Sequence, residues 1–229
     1  MADPNRVLFE SVVHLLAPVL DELVFVGGCT TGLFIADPAA GGIRPTKDVD
    51  AIVDVTSYAK YAALSERLRA LGLAEDTTPG APLCRWRRDD LIVDIMPVDE
   101  RVLGFGNRWY PAAIETAQRF DIAGHDVRVV TPALFIATKL EAFHGRGGGD
   151  IVASHDLEDI IAVVDGRPEI VSEVAAASAD VRRYIASELR ALLDNRDFTE
   201  ALGGFLLPDA ASQARHSLLE SRLRSLTLT

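Results

Sequence analysis

The chain has little cysteine and no long apolar segment. Its two cysteines, Cys29 and Cys84, lie far apart, which excludes a disulfide framework and a cysteine-based metal cluster. The apolar runs fall well short of the roughly 18 to 20 residues that a membrane-spanning helix needs. The N-terminal residues lack the basic start and apolar core of a secretion signal. We therefore expect a cytoplasmic protein that has no membrane partner.

The chain is also poor in positive charge. It has 23 lysines and arginines against 34 aspartates and glutamates, which gives a formal net charge of −11. Proteins that hold nucleic acid through its phosphates usually carry a basic surface, so this balance argues against a non-specific DNA or RNA binder. One local basic patch is compatible with it, formed by Arg85, Arg87 and Arg88. The alternative for these arginines is a solvated hairpin edge.

The sequence shows no internal repeat and no low-complexity tract, but its pattern changes near residue 130. Before that point, strand-like and helix-like segments alternate, with predicted strands at 23–27 and 48–55, a predicted hairpin of 83–88 with 90–96, and a second predicted hairpin at 119–130. From Thr131 onward the pattern is helical, apart from a glycine-rich break at 145–149. We expect an α/β (α+β) core at 1–130, with a small mixed sheet flanked by helices, and a helical region at 131–229.

A glycine pair ends the first predicted strand. Gly27 and Gly28 follow the apolar run Val24-Phe25-Val26. Glycines at a strand end let backbone amides approach a phosphate group with no Cβ in the way. This pair is therefore a candidate phosphate-binding bend.

Three aspartates stand on the strands that follow. Asp48 and Asp50 open one strand and project from the same side because side chains alternate along a strand. Asp94 interrupts the apolar strand Leu91–Met96, where a carboxylate is costly unless it is paired or binds a metal. Three converging carboxylates suit Mg²⁺. The alternative is that Asp50 and Asp94 form buried ion pairs with arginines.

The glycine pair and the three acids resemble the signature of the nucleotidyltransferase superfamily. The run from Arg44 through Thr46 to Asp50 is similar to the AbiEii-type branch, which contains toxins of bacterial toxin–antitoxin and phage-defence systems. Two further marks of that branch match Lys139, on a predicted helix, and Asp156, at the start of the next one. Two features depart from the pattern: a long loop of 19 residues before Asp48, and Cys29 in place of a small hydroxyl residue.

The resemblance implies a role for each motif residue in binding a nucleotide. Gly27, Gly28 and Thr30 would cradle its phosphates. Asp48, Asp50 and Asp94 would bind Mg²⁺ or Mn²⁺, with Asp94 holding the second ion or acting as the catalytic base. Lys139 would neutralise triphosphate charge.

Two of the motif residues keep alternative interpretations. Arg44 either binds a phosphate or forms a salt bridge with Asp48. Asp156 either contributes to the site, by orienting Lys139 or touching the nucleotide, or only caps its helix.

The implied activity is Mg-dependent transfer of a nucleoside monophosphate from a nucleoside triphosphate to a hydroxyl acceptor. The resemblance suggests the 3′ end of a tRNA as acceptor and a cognate antitoxin as partner. One alternative is a small molecule of the aminoglycoside type, because an acidic cleft attracts a polycation. Another is a nucleotide-binding protein that has kept the fold but does not turn over.

Overall fold

The structure is a computed structural model that describes residues 3–147 and 150–229. The strands are β1 (Leu23–Val26), β2 (Val49–Val53), β3 (Ala74–Glu75), β4 (Arg85–Arg88), β5 (Leu91–Pro97), β6 (Gln118–Ile122) and β7 (His125–Val129). The α-helices are α1 (Arg6–Leu15), α2 (Thr31–Phe34), α3 (Tyr58–Ala70), α4 (Glu100–Leu103), α5 (Tyr110–Glu115), α6 (Pro132–Gly147), α7 (His155–Gly166), α8 (Ile170–Ala176), α9 (Ala179–Asp194), α10 (Arg196–Ala201), α11 (Ala210–Gln213) and α12 (His216–Leu226). Short 3₁₀ helices cover Ala17–Glu22, Gly28–Thr30 and Leu202–Phe205.

The chain divides into two compact units. The α/β unit comprises Pro4–Thr30 and Pro45–Thr131, and the helical unit comprises Thr31–Arg44 and Pro132–Thr229 together with Asp3. The segment Thr31–Arg44 groups with the helices because α7 holds it: the amides of Ala36 and Asp37 both donate to the carbonyl of Gly166. The C-terminal unit thus includes a segment from the first fifth of the chain.

The strands of the α/β unit form one mixed sheet, as the sequence predicts. In the described residues the sheet has seven strands in the order β3-β4-β5-β2-β1-β7-β6. β1 runs antiparallel to β2 and parallel to β7, and β2 runs parallel to β5. The two predicted hairpins form β4–β5 and β6–β7. The α/β fold class is therefore confirmed.

The inner strands are apolar because both of their faces are covered. All four residues of β1 are buried, which is the pattern of a strand inside a sheet. On one face the ring of Phe25 meets the ring of Phe9 from α1 edge to face, with centroids 5.1 Å apart. The hydroxyl of Tyr110, at the start of α5, donates to the sulfur of Met96 on β5 at 3.2 Å.

Tight turns set the register of both hairpins. Asp89 has a φ of +51°, and the turn between β4 and β5 contains only Asp89 and Asp90, so Arg88 pairs with Leu91. In the other hairpin, Ala123 and Gly124 have φ values of +51° and +82°, which suits the right-handed twist of the flanking strands. Each strand residue of a hairpin therefore has a defined partner opposite.

The helical unit is organised by its own N-caps and apolar faces. Ser154 and Ser178 accept hydrogen bonds from backbone amides at the starts of α7 and α9.

The glycine-rich break expected at 145–149 begins later than predicted because α6 continues to residue 147, and residues 148 and 149 lie outside the described residues. Within the described part of the chain, no helix has the length and apolar character needed to cross a membrane.

We expect both cysteines to be unreactive in the folded protein. Cys29 and Cys84 are not joined in a disulfide and both are buried, and burial raises the pKa of the Cys84 thiol to about 12. Since only the thiolate reacts, native protein at about pH 8 should not be modified by a thiol reagent such as DTNB. After unfolding in guanidinium chloride both thiols should react. Rapid reaction of either cysteine before unfolding would contradict the burial of that side chain.

Candidate active site

Two of the predicted acidic residues lie side by side in the middle of the sheet. Asp50 on β2 is in register with Asp94 on β5. On their other sides, Asp50 pairs with Val26 on β1 and Asp94 pairs with Arg85 on β4. Residues at one level of neighbouring strands project to the same face of a sheet. Asp50, Asp94 and Arg85 therefore share a face, and Asp48 joins them because it lies two residues before Asp50.

The guanidinium of Arg85 connects two of these acids. Its Nε donates to Oδ1 of Asp94 at 2.8 Å, and its Nη2 donates at 2.8 Å both to Oδ2 of Asp94 and to Oδ2 of Asp48. The pair with Asp94 is a bidentate fork, the strong form of an arginine–carboxylate contact. The hydrogen bonds that Arg85 donates to Asp94 raise the pKa of Arg85, so the guanidinium keeps its charge.

These ion pairs explain how Asp94 is accommodated. Its side chain is only 9% exposed, and a buried carboxylate without a partner is strongly unfavourable. The sequence left open whether an arginine or a metal balances the negative charge of the acids. In the structure, Arg85 forms ion pairs with both Asp94 and Asp48.

The glycine bend lies directly against Asp50. Gly27 has a φ of +73°, and a Cβ added there would fall 2.0 Å from Oδ2 of Asp50. Only glycine fits the left-handed backbone and the close carboxylate together. The hydroxyl of Thr30 donates to the carbonyl of Gly27 at 2.9 Å, so this hydroxyl closes the bend. Gly28 opens the 3₁₀ helix that follows.

Two residues outside the predicted set hold Asp48 in place. The side-chain oxygen of Asn5 accepts from the backbone amide of Thr46 at 2.8 Å, and the hydroxyl of Thr46 donates to Oδ1 of Asp48 at 2.9 Å. Asn5 is buried, with 1% exposure. Its contact with Thr46 joins residues 41 positions apart, so no local pattern in the sequence could identify Asn5.

Arg85 was missed as a site residue, although the sequence held a signal for it. A two-residue turn at Asp89 and Asp90 places residue 85 opposite residue 94, because each step away from the turn adds one pair. Counting the hairpin register in this way would have identified Arg85 as the partner of Asp94.

The donor set has the right chemistry for Mg²⁺, which prefers carboxylate oxygens. The three aspartates and Arg85 together carry two net negative charges, enough to attract a divalent cation. The present arrangement does not converge on one point, however: no group of three His, Cys, Asp or Glu side chains in the described residues has the geometry of a metal site. Both oxygens of Asp94 accept hydrogen bonds from Arg85, so a metal bound to Asp94 in this arrangement would lie next to the guanidinium charge.

The helical unit contains a second buried charge cluster. Nζ of Lys139 on α6 lies 2.9 Å from Oδ1 of Asp156 and 2.7 Å from Oδ2 of Asp159, both on α7. Nη2 of Arg44 contacts the same oxygen of Asp159, at 3.2 Å. Burial by itself would lower the pKa of Lys139, but the two carboxylates outweigh it, Asp159 more than Asp156, and the pKa is raised.

This cluster bears on the alternatives for Arg44 and Asp156. Arg44 pairs with Asp159, whereas Asp48 pairs with Arg85, so the structure has two other salt bridges in place of one between Arg44 and Asp48. The N-cap of α7 is Ser154, which accepts from the amide of Leu157. Asp156 accepts a hydrogen bond from Lys139, and the roles of both residues toward a nucleotide stay predictions.

The three arginines of the β4–β5 hairpin have partners within the protein. Arg85 binds Asp94 and Asp48, and Arg87 lies 3.6 Å from the carboxylate of Asp76. Arg88 donates to the carbonyl of Leu71 at 2.9 Å. The charges of two of the three arginines are therefore compensated within the protein.

Comparisons with known proteins add little to this geometry. No family model matches the chain, and no curated protein does. Among solved structures, the chain is similar to an antigenic nucleotidyltransferase-like protein from Paracoccidioides brasiliensis, with 21% identity over 84% of this chain and 90% of that one and a TM-score of 0.47. A similarity of this size carries no weight for function, which therefore rests on the residues of the site.

We expect Gly27→Ala to destabilise the α/β unit and to displace Asp50. A left-handed backbone costs an L-residue roughly 1–2 kcal/mol, and the contact with Asp50 adds to it. The matched control is Gly124→Ala, where φ is +82° and an added Cβ meets no atom within 4 Å. Thermal unfolding should show a larger fall in Tm for Gly27→Ala. Equal falls would contradict the crowding against Asp50.

We expect Lys139→Ala to lower stability strongly, because it leaves two buried carboxylates with one cation fewer. The loss should be about 3 to 5 kcal/mol in a denaturant titration, the usual cost of breaking a buried ion pair. The double variant Lys139→Ala with Asp156→Asn should recover part of it. Unchanged stability combined with weaker nucleotide binding would instead favour the phosphate-binding role predicted for Lys139.

Proposed function

We propose that this protein is a nucleotidyltransferase, which transfers a nucleoside monophosphate from a nucleoside triphosphate to a hydroxyl acceptor. The observation that carries the proposal is the row formed by Asp50 and Asp94 on neighbouring strands. Asp48 lies on the same face, and the glycine bend lies directly against Asp50. Carboxylates beside a bend without side chains are what a metal–triphosphate requires.

In this proposal the acids are the metal ligands and the bend holds phosphate. Asp48 and Asp50 would hold Mg²⁺ or Mn²⁺, and Asp94 would complete the set. The bound ion would neutralise the phosphate charge that develops on the leaving group. Backbone amides at Gly27 and Gly28 would donate to phosphate oxygens, and Thr30 would keep the bend closed through its bond to the carbonyl of Gly27.

The proposed chemistry is an in-line displacement at the α-phosphorus. The acceptor oxygen forms a bond to the α-phosphorus, the bond from that phosphorus to the bridging oxygen breaks, and pyrophosphate leaves. Asp94, whose carboxylate lies level with Asp50, would either hold a second ion or act as the base for the acceptor proton. As a base it would work beside Arg85, which donates to both of its oxygens.

Two classes of acceptor fit different observations. The resemblance to AbiEii-type toxins favours a tRNA 3′ end, and it also suggests a cognate antitoxin as partner. The charge of the protein favours a small cationic acceptor of the aminoglycoside type, because the net charge is −11 and Arg85 and Arg87 are already paired with acids. Incubation with labelled nucleoside triphosphate, Mg²⁺ and either total tRNA or an aminoglycoside distinguishes the two.

A non-catalytic nucleotide-binding protein is the second candidate function. The observation in its favour is that Arg85 compensates Asp48 and Asp94 where a metal would otherwise do so. A protein that keeps this ion pair with nucleotide bound would bind nucleoside triphosphate without transferring it. Binding in equilibrium dialysis, with no label on any acceptor, would support this function over the first.

We expect Asp50→Asn to reduce nucleotidyl transfer by orders of magnitude with the fold intact, because it removes a metal-binding charge and keeps the shape of the side chain. The control is Asp54→Asn, an exposed carboxylate that directly follows the same strand. Transfer of label and Tm are measured for both variants. If Asp50→Asn lost stability in proportion to activity, Asp50 would be a structural residue and the proposal would fail.

The toxin role has a separate test. Expression of the wild type should arrest growth if the acceptor is tRNA, and the double variant Asp48→Ala with Asp50→Ala should restore it. Harmless expression of a protein that is active in the transfer assay would count against the toxin role and leave the enzymatic proposal in place.

A further inference from the structure

The position of Arg85 between two site acids sets a condition on metal binding. Its Nη2 contacts one oxygen of Asp48 and one of Asp94, each at 2.8 Å. We propose that Arg85 is a built-in counter-ion of the acid cluster, and that it competes directly with a divalent cation for Asp48 and Asp94. The role of the metal in catalysis rests on the proposed function. The competition itself does not, because it can be measured in the nucleotide-free protein.

Charge explains why the cluster needs a cation at all times. Asp48, Asp50 and Asp94 project from one face within two neighbouring strands, and like charges this close repel each other. Asp94 is also nearly buried, so its charge is poorly hydrated. Arg85 supplies one positive charge in a geometry that satisfies both oxygens of Asp94. A divalent ion supplies two charges to the same oxygens.

The two cations compete because they use the same ligand atoms. Both oxygens of Asp94 and Oδ2 of Asp48 are hydrogen-bonded to the guanidinium. A metal bound to these oxygens would lie next to the positive charge of the guanidinium. Metal binding to Asp94 is therefore favoured when Arg85 moves away.

The surroundings of Arg85 allow such a movement. Its backbone stays in the β4–β5 ladder opposite Asp94, so the strand need not change. Its side chain is 22% exposed, whereas the side chain of Asp94 is 9% exposed. The guanidinium can thus rotate towards solvent while the acid stays in place.

The test is the affinity of the nucleotide-free protein for Mn²⁺, measured by isothermal titration calorimetry. Arg85→Gln should bind Mn²⁺ about 10-fold or more tightly than the wild type, because the competing charge is gone. Arg88→Gln is the matched control from the same hairpin: Arg88 donates to the carbonyl of Leu71, and its variant should bind as the wild type does. Adding Asp94→Asn to Arg85→Gln should abolish the gain, which locates the ion at this cluster.

Thermal unfolding gives a second readout that does not depend on activity. Arg85→Gln should have a lower Tm than the wild type in EDTA, because the acids then repel each other without a counter-ion. Saturating Mn²⁺ should raise its Tm by more than that of the wild type. If Arg85→Gln fails to fold, Arg85→Lys keeps the charge without the bidentate fork and should bind Mn²⁺ no more than slightly tighter than the wild type.

Equal or weaker Mn²⁺ binding by folded Arg85→Gln would overturn the inference. The transfer assay is scored separately, so the two proposals fail separately. Tighter Mn²⁺ binding by Arg85→Gln with no transfer to any acceptor would uphold the competition and reject the proposed function. Transfer by the wild type, with no gain in Mn²⁺ affinity for Arg85→Gln, would uphold the proposed function and reject the competition.

Discussion

The arrangement of the candidate site depends on one guanidinium that holds two carboxylates from different parts of the sheet. Arg85 bonds both oxygens of Asp94 and one oxygen of Asp48. Without a cation there, a nearly buried Asp94 would be unfavourable in the middle of the sheet. The tight turn at Asp89 makes the contact possible, because it brings Arg85 level with Asp94. The site therefore owes its present form to a local hairpin and a non-local ion pair together.

The helical unit uses the same principle. Lys139 compensates Asp156 and Asp159, and Arg215 lies 2.9 Å from both Asp165 and Asp37. Each of these cations is largely buried and serves two carboxylates. An acidic chain can fold in this way because its few interior cations are placed where acids from different segments meet. The consequence for function is that a charged residue of a motif, such as Lys139, already has partners within the protein.

The chemistry of the site follows from what these ion pairs leave available. Gly27 permits the close approach of Asp50, and Asn5 fixes Asp48 through Thr46. A metal–triphosphate would have to fit this frame and compete with the guanidinium of Arg85 for the same oxygens. Nucleotidyl transfer is thus a proposal about how the acids act when a metal takes over the charge compensation that Arg85 supplies here.

The sequence by itself determined the elements and the local motifs: the buried strand before Gly27, the shared face of Asp48 and Asp50, and both hairpins. These features follow from periodicities of two and 3.6 residues and from turn chemistry, which act over short distances. Only the tertiary structure decided that Asn5 accepts a hydrogen bond from Thr46 just before β2. It also decided that Arg44 pairs with Asp159 and that the segment Thr31–Arg44 joins the helical unit. Those outcomes depend on which distant segments become neighbours, and the choice of partner for a buried charge is set by that packing.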